Sequence, residues 1–409
     1  MKIPRRTLLS VPAAALAAAP APPPALGPKL AAAMSSTVLK KELFKEPVKI
    51  ASIDLLRNGK NFIVRARSAS GVTGYADAHS SVMSVAYPIL LKKVAPLLIG
   101  KDARDLESLL EEVYLANSNY KWQGLPFWVS VAVVEIAILD LLGKVVGQPI
   151  GALIGTPRQR RIPVYRASSH RGNSAEDEVA YLQKVVSETG ATAIKFRLGA
   201  RMRFDAESTR RDLALIPLTR KTFGPAFTIY ADGNGSYDVP QAIRIGKVME
   251  EYKLAFFEEP VPFDYYDETK QIAAALKIPI ALGEQEASLR GFRRIIEQGI
   301  ARVIQPDLLY FGGLIRSMKV ARMAAAAGLA CTPHMSGGGL GFLYVAHFAS
   351  CIANAGAHQE YKGEDDTLPV HSATSSLESE KGMLTVPTGP GLGVEIDPAF
   401  LAKAQLVSA

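Results

Sequence analysis

A chain of 409 residues, 48% hydrophobic, 21% charged and 8% aromatic, is too long for one small module and suits one large α/β barrel with a second, smaller domain. Disorder, a collagen-like repeat and a disulfide scaffold are all excluded, the last because only Cys331 and Cys351 are present. The net charge of +8 invites a nucleic-acid partner, but no compact run of lysine and arginine with interleaved aromatics supports one, and none is expected.

Part of that charge belongs to the first 33 residues, which hold Lys2, Arg5, Arg6 and Lys29 and no acid; the remainder carries 43 basic against 39 acidic residues, a net of +4. Arg5-Arg6-Thr7-Leu8-Leu9 followed by an Ala- and Pro-rich apolar stretch resembles a twin-arginine export signal, with Ala31-Ala32-Ala33 as a small-residue cleavage site. The stretch is too short and too rich in proline to span a membrane, and it lacks a cysteine for a lipid anchor. Residues 1–33 are therefore read as a leader and the protein as periplasmic. Export after folding fits a chain with few cysteines and would allow a metal to be loaded in the cytoplasm.

Residues 34–157 read as an α+β capping unit. Strands are expected at 48–56, 62–68 and 74–77, the first two joined by the turn Arg57-Asn58-Gly59-Lys60. Helices are expected at 85–98, 103–114 and 129–142; the last is apolar nearly all round and must be buried. Turn signals around Pro149 and Pro157 end the unit.

From residue 158 to 362 short apolar runs recur at 162–165, 193–196, 228–231, 255–257, 280–282, 303–305, 329–332 and 357–359. Helical stretches such as 175–189, 239–252, 288–298 and 313–327 fill most gaps. Eight strands alternating with helices over about 200 residues is the rhythm of a (β/α)8 barrel. An open doubly wound sheet would ordinarily carry a glycine-rich phosphate turn after its first strand, whereas this one ends in Arg166-Ala167-Ser168-Ser169-His170. Residues 363–409 are left as a C-terminal segment expected to pack back toward the cap.

Each run ends in a polar residue. Lys195 and Arg197 follow the second, Asp232 the third, Glu258 the fourth, Glu284 the fifth, Asp307 the sixth, His334 the seventh and Glu360 the eighth. From Asp232 the steps are 26, 26, 23, 27 and 26 residues, about one βα unit each, so every step returns the chain to one rim of the barrel. Asp232, Glu258 and Glu284 on adjacent strands would repel one another; a divalent cation resolves that, and an all-oxygen set suits Mg²⁺. Any one of these acids alone would pass for a solvated loop acid or helix cap, but three in register would not. Asp307 and His334 make a base oriented by an acid. Lys195 and Arg197, two apart on one strand, share a face.

Phe257-Glu258-Glu259-Pro260, Gly283-Glu284, Asp232-Gly233-Asn234, Gln305-Pro306-Asp307 and Thr332-Pro333-His334 resemble the enolase superfamily, mandelate racemase subgroup, over about residues 48–394. The resemblance implies a (β/α)8-type barrel under an N-terminal α+β cap, and a reaction in which Mg²⁺ binds a substrate carboxylate and steadies the enediolate formed when a base removes the α-proton. It implies Asp232, Glu258 and Glu284 as metal ligands, one Mg²⁺ per site, with Glu259 beside them. It further implies Asp307–His334 as the general-base dyad and Glu360 as a hydrogen-bond partner of the developing enolate.

The racemase pattern has Lys-x-Lys on the second strand, where this chain has Lys195-Phe196-Arg197. Arginine as a residue type stays protonated and is a poor base, so abstraction on one face by His334 is expected. That favours dehydration of a sugar acid to a 2-keto-3-deoxy acid, a lyase reaction, over racemisation or epimerisation of a 2-hydroxy acid. A sugar-acid binding protein without turnover is the reading from another class. The muconate-cycloisomerase pattern is disfavoured, since its sixth-strand lysine is absent.

Substrate contacts are expected from His79, Lys121 and Trp122 above the pocket and Arg166, His170 and Arg171 at its edge. Such cations suit a polyhydroxylated acid or a second carboxylate. Gly337-Gly338-Gly339 reads as a turn making room at the rim rather than a phosphate cradle. The partner is a small-molecule acid; no stable membrane insertion and a homo-oligomer are expected.

Overall fold

A computed structural model describes residues 26–336, 338–361 and 368–408. The Arg5-Arg6 pair, Gly337 and residues 362–367 lie outside them. Helix α1 (Leu26–Ser35) runs into the cap, whose strands β1 (Ile50–Asn58), β2 (Asn61–Ser68) and β3 (Thr73–Asp77) form an antiparallel meander. Helices α2 (Ser80–Ile89), α3 (Ala95–Leu98) and α4 (Leu106–Leu115) follow. The helix expected over 85–98 is present and begins earlier, running from Ser80 to Leu98; it widens at Leu90–Val94 between α2 and α3, just past Pro88, which cannot donate within the helix.

Helix α5 (Leu125–Val146) explains its own composition. It is long and apolar enough to cross a membrane, yet most of it is buried beneath β2, β3 and α2. Gly74 lets β3 lie directly on the α5 backbone, since a Cβ there would strike the carbonyl oxygen of Ala137. Asp140 fastens the layers: its carboxylate accepts from Tyr75 N (2.8 Å) and Leu392 N (2.7 Å) and pairs with Lys144 (2.6 Å). Helix α6 (Ile150–Ile154) leads out of the cap.

The barrel strands are β4 (Arg161–Ala167), β5 (Ala193–Arg197), β6 (Thr228–Asp232), β7 (Phe257–Glu258), β8 (Ile280–Leu282), β9 (Val303–Ile304), β10 (Ala330–Cys331) and β11 (Gln359–Tyr361). Each from β4 to β9 pairs in parallel with the next, and β11 returns to β4 with Glu360 opposite Tyr165. A parallel bridge between Cys331 and Ala355 completes the ring. The expected strand at 357–359 lies two residues later, at β11, because His358 turns to hydrogen-bond Tyr230 (2.9 Å) while Gln359–Tyr361 pair with β4. Ala193, Tyr165, Tyr230, Phe256 and Ala281 fill the interior. Around it run α7 (Ala175–Thr189), α8 (Ala206–Phe223), α9 (Val239–Glu251), α10 (Tyr266–Ala275), α11 (Leu289–Glu297), α12 (Leu314–Ala326) and α13 (Gly341–Cys351).

The C-terminal segment binds both units. Met383–Thr385 pairs with β4, and Gln405–Leu406 pairs with β1, opposite Leu56 and Arg57.

Candidate active site

The strand-end residues converge because the barrel is parallel. Arg197 lies opposite Asp232 in the β5–β6 ladder, and Asp232 opposite Glu258 in the next. Glu284 stands two residues past β8, and Gly283 (φ 131°) supplies the backbone turn that aims it inward. A Cβ on that glycine would come within 2.6 Å of the Phe292 ring. Asp307 and His334, past β9 and β10, face each other across a parallel bridge.

Asp232, Glu258 and Glu284 are buried and offer carboxylate oxygens that all lie within 4.8 Å of one another. Glu258 Oε2 receives Lys195 Nζ at 2.7 Å, while Glu258 Oε1 is buried without a hydrogen-bond partner among the described residues. Burial drives Glu284 above the usual carboxylate range, with Glu258 adding to it; Glu259, behind them, is raised well above by burial and by the charges of Glu284 and Glu258. Crowded buried carboxylates with an unsatisfied oxygen fit a hard divalent cation.

Two cations stand on one side of this cluster. The Lys195 ammonium is buried, which alone would lower its pKa, but Glu258 and Glu360 (3.4 Å) outweigh burial and hold it protonated. Arg197 places Nη1 against Asp232, donates Nε to Ser168 O (3.1 Å) and reaches Asn234 Oδ1 (3.3 Å). On the other side, His334 Nδ1 meets Asp307 Oδ2 at 2.6 Å. Asp307 is itself fixed by the backbone N–H groups of Leu309 (2.8 Å) and Tyr310 (2.7 Å) and by Ser336 Oγ (3.2 Å). His334 Nε2 points at Glu284 (3.3 Å) and Glu360 (3.5 Å). Burial would lower the His334 pKa, but Glu284, Glu360 and Asp307 together raise it. Above these groups opens a cavity of about 440 Å³.

Of the expected substrate contacts, Arg171 does not line the cavity but donates to Oδ1 of Asn234, which does. His79 stops one residue short: its Nε2 lies 3.4 Å from the hydroxyl of Tyr310, which lines the cavity. The others point elsewhere. His170 turns back to α7, against Glu178 (3.6 Å) and the Tyr181 ring. Arg166 stacks over Tyr361. Trp122 packs against Lys93, because buried Asn119 anchors that turn to the carbonyls of Lys93 and Val113; neither Trp122 nor Lys121 lines the cavity. The sequence reading missed Arg201, Phe263, Gln285, Tyr310 and Ser336, which do line it and which sit in loops without periodicity. Asn234 was visible inside the Asp232-Gly233-Asn234 motif. Of the glycine run, Gly339 (φ 61°) lies against Asp77, where a side chain would collide.

A barrel with three carboxylates on successive strands, a histidine–aspartate pair opposite and an α+β cap defines the class. Residues 33–155 match the mandelate racemase / muconate lactonizing enzyme N-terminal domain, and residues 177–400 match the enolase C-terminal domain-like family. The chain belongs to the enolase superfamily, in its mandelate racemase subgroup. It is 28% identical over 335 residues to the arabinonate dehydratase of Saccharolobus solfataricus, covering 80% of this chain and 86% of that one. A racemase-named structure from Roseobacter denitrificans superposes with a TM-score of 0.82 at 32% identity, covering 88% of this chain and 99% of that one. A mandelate racemase/muconate lactonizing protein from Paracoccus denitrificans, solved in complex with magnesium, gives 0.78 at 27% identity with the same coverage.

Proposed function

We propose that this enzyme is a Mg²⁺-dependent hydro-lyase that removes water from a sugar acid to give a 2-keto-3-deoxy acid. Asp232, Glu258 and Glu284 would hold the ion, which when bound supplies positive charge to the substrate carboxylate as the α-carbon loses its proton. His334 Nε2 takes that proton, while Asp307 holds Nδ1 and steadies the imidazolium. Lys195 and Arg197 position the carboxylate and offset its growing charge, and Glu360, when protonated, donates a hydrogen bond to its oxygen. The imidazolium then returns its proton to the departing β-hydroxyl; water leaves and the enol tautomerises to the keto acid. Atoms balance without a redox partner.

The observation that carries this reading is the pairing of one well-oriented base, His334 on Asp307 at 2.6 Å, with an arginine rather than a second amine at position 197. The test is release of 2-keto acid from a library of aldonates, uronates and aldarates with Mg²⁺ present. Failure to form keto acid from any of them sinks it. A racemase or epimerase is the second reading, favoured by one feature: Lys195 and His334 approach opposite oxygens of Glu360, at 3.4 and 3.5 Å, and so flank it from two sides. Exchange of the α-proton with solvent deuterium, without keto acid, would select that reading.

Export also remains our proposal, resting on Arg5-Arg6 and the apolar stretch after it. Replacing the pair by Lys-Lys is expected to hold precursor in the cytoplasm; an unchanged periplasmic yield would remove it.

A further inference from the structure

Asp77, the last residue of β3, belongs to the cap, yet its carboxylate serves the barrel. Oδ2 accepts the backbone N–H of Leu340 (3.0 Å), the residue just before α13. Gly339 lies against the same oxygen, with which a Cβ would collide. The Asp77 peptide is held as well: its N–H donates to the Tyr344 hydroxyl (2.8 Å), which donates in turn to its carbonyl oxygen (3.3 Å). The carboxyl is buried and has no cation beside it among the described residues. Burial pushes it up to about 6, against the backbone N–H groups of Leu340, His79 and Ala78. A buried acid without a cation is costly to the fold. Here it fixes backbone that follows the catalytic histidine.

Leu340 ends the segment that begins at His334. Near its start, Ser336 Oγ donates to Asp307 Oδ1 (3.2 Å), and the Met335 N–H donates to Glu360 Oε2 (3.3 Å). The cap touches the other loop of the dyad two residues beyond Asp77. His79, held left-handed (φ 48°), brings Nε2 to 3.4 Å from the Tyr310 hydroxyl, with the two rings 5.7 Å apart. Tyr310 donates its own N–H to Asp307 Oδ1 (2.7 Å), as Leu309 does (2.8 Å). Of these donors to Oδ1, Ser336 and Tyr310 therefore sit in segments that the cap holds through Asp77 and His79. Together they fix the carboxylate with Oδ2 turned to His334 Nδ1 (2.6 Å). Neither Asp77 nor His79 lines the cavity.

We infer that Asp77 is a positioning residue for the reaction: by holding Gly339 and Leu340 it sets where Ser336 meets Asp307 and, through Asp307, the direction of the His334 imidazole. The inference rests on the reading of His334 as the base and adds to it a residue of the cap that touches neither the cavity nor the metal ligands. A misplacement of about 1 Å at a reacting group can cost about 10²-fold in rate, so one hydrogen bond from the cap suffices to change turnover. Tyr344 supplies the contrast. It fastens the same cap residue through the peptide, without touching the Gly339–Leu340 backbone that the carboxylate holds.

Two readouts on the full-length protein test it. One is the downfield proton resonance of His334 Nδ1–H, identified by its loss in His334→Asn and independent of metal and turnover. The other is α-proton exchange with solvent deuterium in the Mg²⁺-loaded protein. Asp77→Ala is expected to shift or broaden the resonance and to slow exchange about 10–100-fold at saturating acid, with KM changed by less than about threefold. Asp77→Asn keeps an acceptor for Leu340 N and is expected to hold both near the parent. Tyr344→Phe is expected to lower Tm and leave both unchanged. Gly339→Ala keeps Asp77 but crowds its carboxyl; it should reproduce the effects of Asp77→Ala and takes its place if that variant does not fold. A parent-like resonance and exchange rate in folded Asp77→Ala or Gly339→Ala overturns the inference. So does a Tyr344→Phe variant that moves both as far as Asp77→Ala does, since Asp77 would then give only general support to the fold. A parent that exchanges the α-proton of no acid overturns the reading of His334 as the base and leaves Asp77 to be judged on the resonance alone.

Discussion

Glu135, in the middle of cap helix α5, accepts the backbone N–H groups of Leu314 (2.6 Å) and Ile315 (3.1 Å) at the start of barrel helix α12. Gly313, just before that helix, has φ of 107° and no room for a side chain, since a Cβ would lie 2.5 Å from the Glu135 carboxyl. One carboxyl from the cap thus satisfies two donors that a helix cannot satisfy itself. It also joins the cap to the element that follows the Asp307 loop.

Burial pushes the Glu135 carboxyl up to about 8, more than the two backbone N–H groups lower it. A carboxyl raised in the folded state binds more protons folded than unfolded. Its contribution to stability is therefore fully present at low pH and is lost as pH rises from about 4.5 to about 8, to a cost on the order of a few kcal/mol. Glu135→Gln keeps an acceptor for both N–H groups and removes the ionisation, so it is expected to raise Tm at pH 9 and flatten the pH dependence between 5 and 9. Glu135→Ala leaves both donors bare and is expected to cost about 1–3 kcal/mol at pH 5, where the parent carboxyl is still protonated. Calorimetric melts across that pH range check both; a glutamine variant as unstable as the alanine one at pH 9 would show that burial is not what governs this carboxyl.

A second outcome concerns the N-terminus. Helix α1 packs on α12 with Leu30 fully buried, and Arg322 on that helix holds Ser36 Oγ and Thr37 O, each at 2.7 Å. Cleavage at Ala31-Ala32-Ala33 would remove Leu30 and expose the apolar surface beneath it. A chain beginning at Met34 is expected to be less stable than one beginning at Leu26 by about 2–3 kcal/mol, the worth of one buried leucine. Comparing the two by thermal melts decides it: equal Tm values would mean that α1 contributes nothing to the fold.

The strand-end ladder was legible in the sequence for a mechanical reason. A parallel barrel brings the chain to the same rim once per βα unit, so the 26-residue steps from Asp232 to Glu258 to Glu284 translate directly into adjacency. The mouth of the cavity was not legible, since the positions of Arg201 and Tyr310 depend on the hand of a turn and the exit angle of a loop. His170 failed for a related reason. The Ser168 hydroxyl accepts the His170 backbone N–H (3.2 Å), and the ring stacks edge-on against Tyr181 rather than entering the pocket. Helix α8 offered little amphipathic signal, with Asp212 and Thr219 buried beside Leu215 and Ile216, and with Pro217 inside it.

The carboxylate triad makes a prediction about stability that is separate from turnover. If Asp232, Glu258 and Glu284 hold Mg²⁺, adding the ion stabilises the folded state, by about 2.7 kcal/mol when its concentration is a hundred times Kd. Glu258→Gln and Glu284→Gln are each expected to abolish that Mg²⁺-dependent rise in Tm, and activity with it, while the metal-free proteins remain folded. A Tm rise in either variant as large as the parent's would show that the ion sits elsewhere.

The identity of the proton acceptor is decided by the two sides of the cluster. His334 stands on one, oriented by Asp307; Lys195 and Arg197 stand on the other, engaged with Glu258, Asp232 and Glu360. With His334 as the sole base, His334→Asn should lose both α-proton exchange and dehydration, by about 10²–10⁴-fold, the usual span for general-base catalysis. Arg197→Lys keeps a cation for the substrate carboxylate but introduces an amine able to deprotonate, so exchange on the opposite face is expected to emerge. Arg197→Met should weaken substrate binding without ending exchange at saturating substrate. Solvent deuterium incorporation, measured on each variant with an acid that turns over, separates the cases. If His334→Asn exchanges the α-proton at the parent's rate while Arg197→Met does not, the base lies on the Lys195 side and abstraction by His334 is wrong.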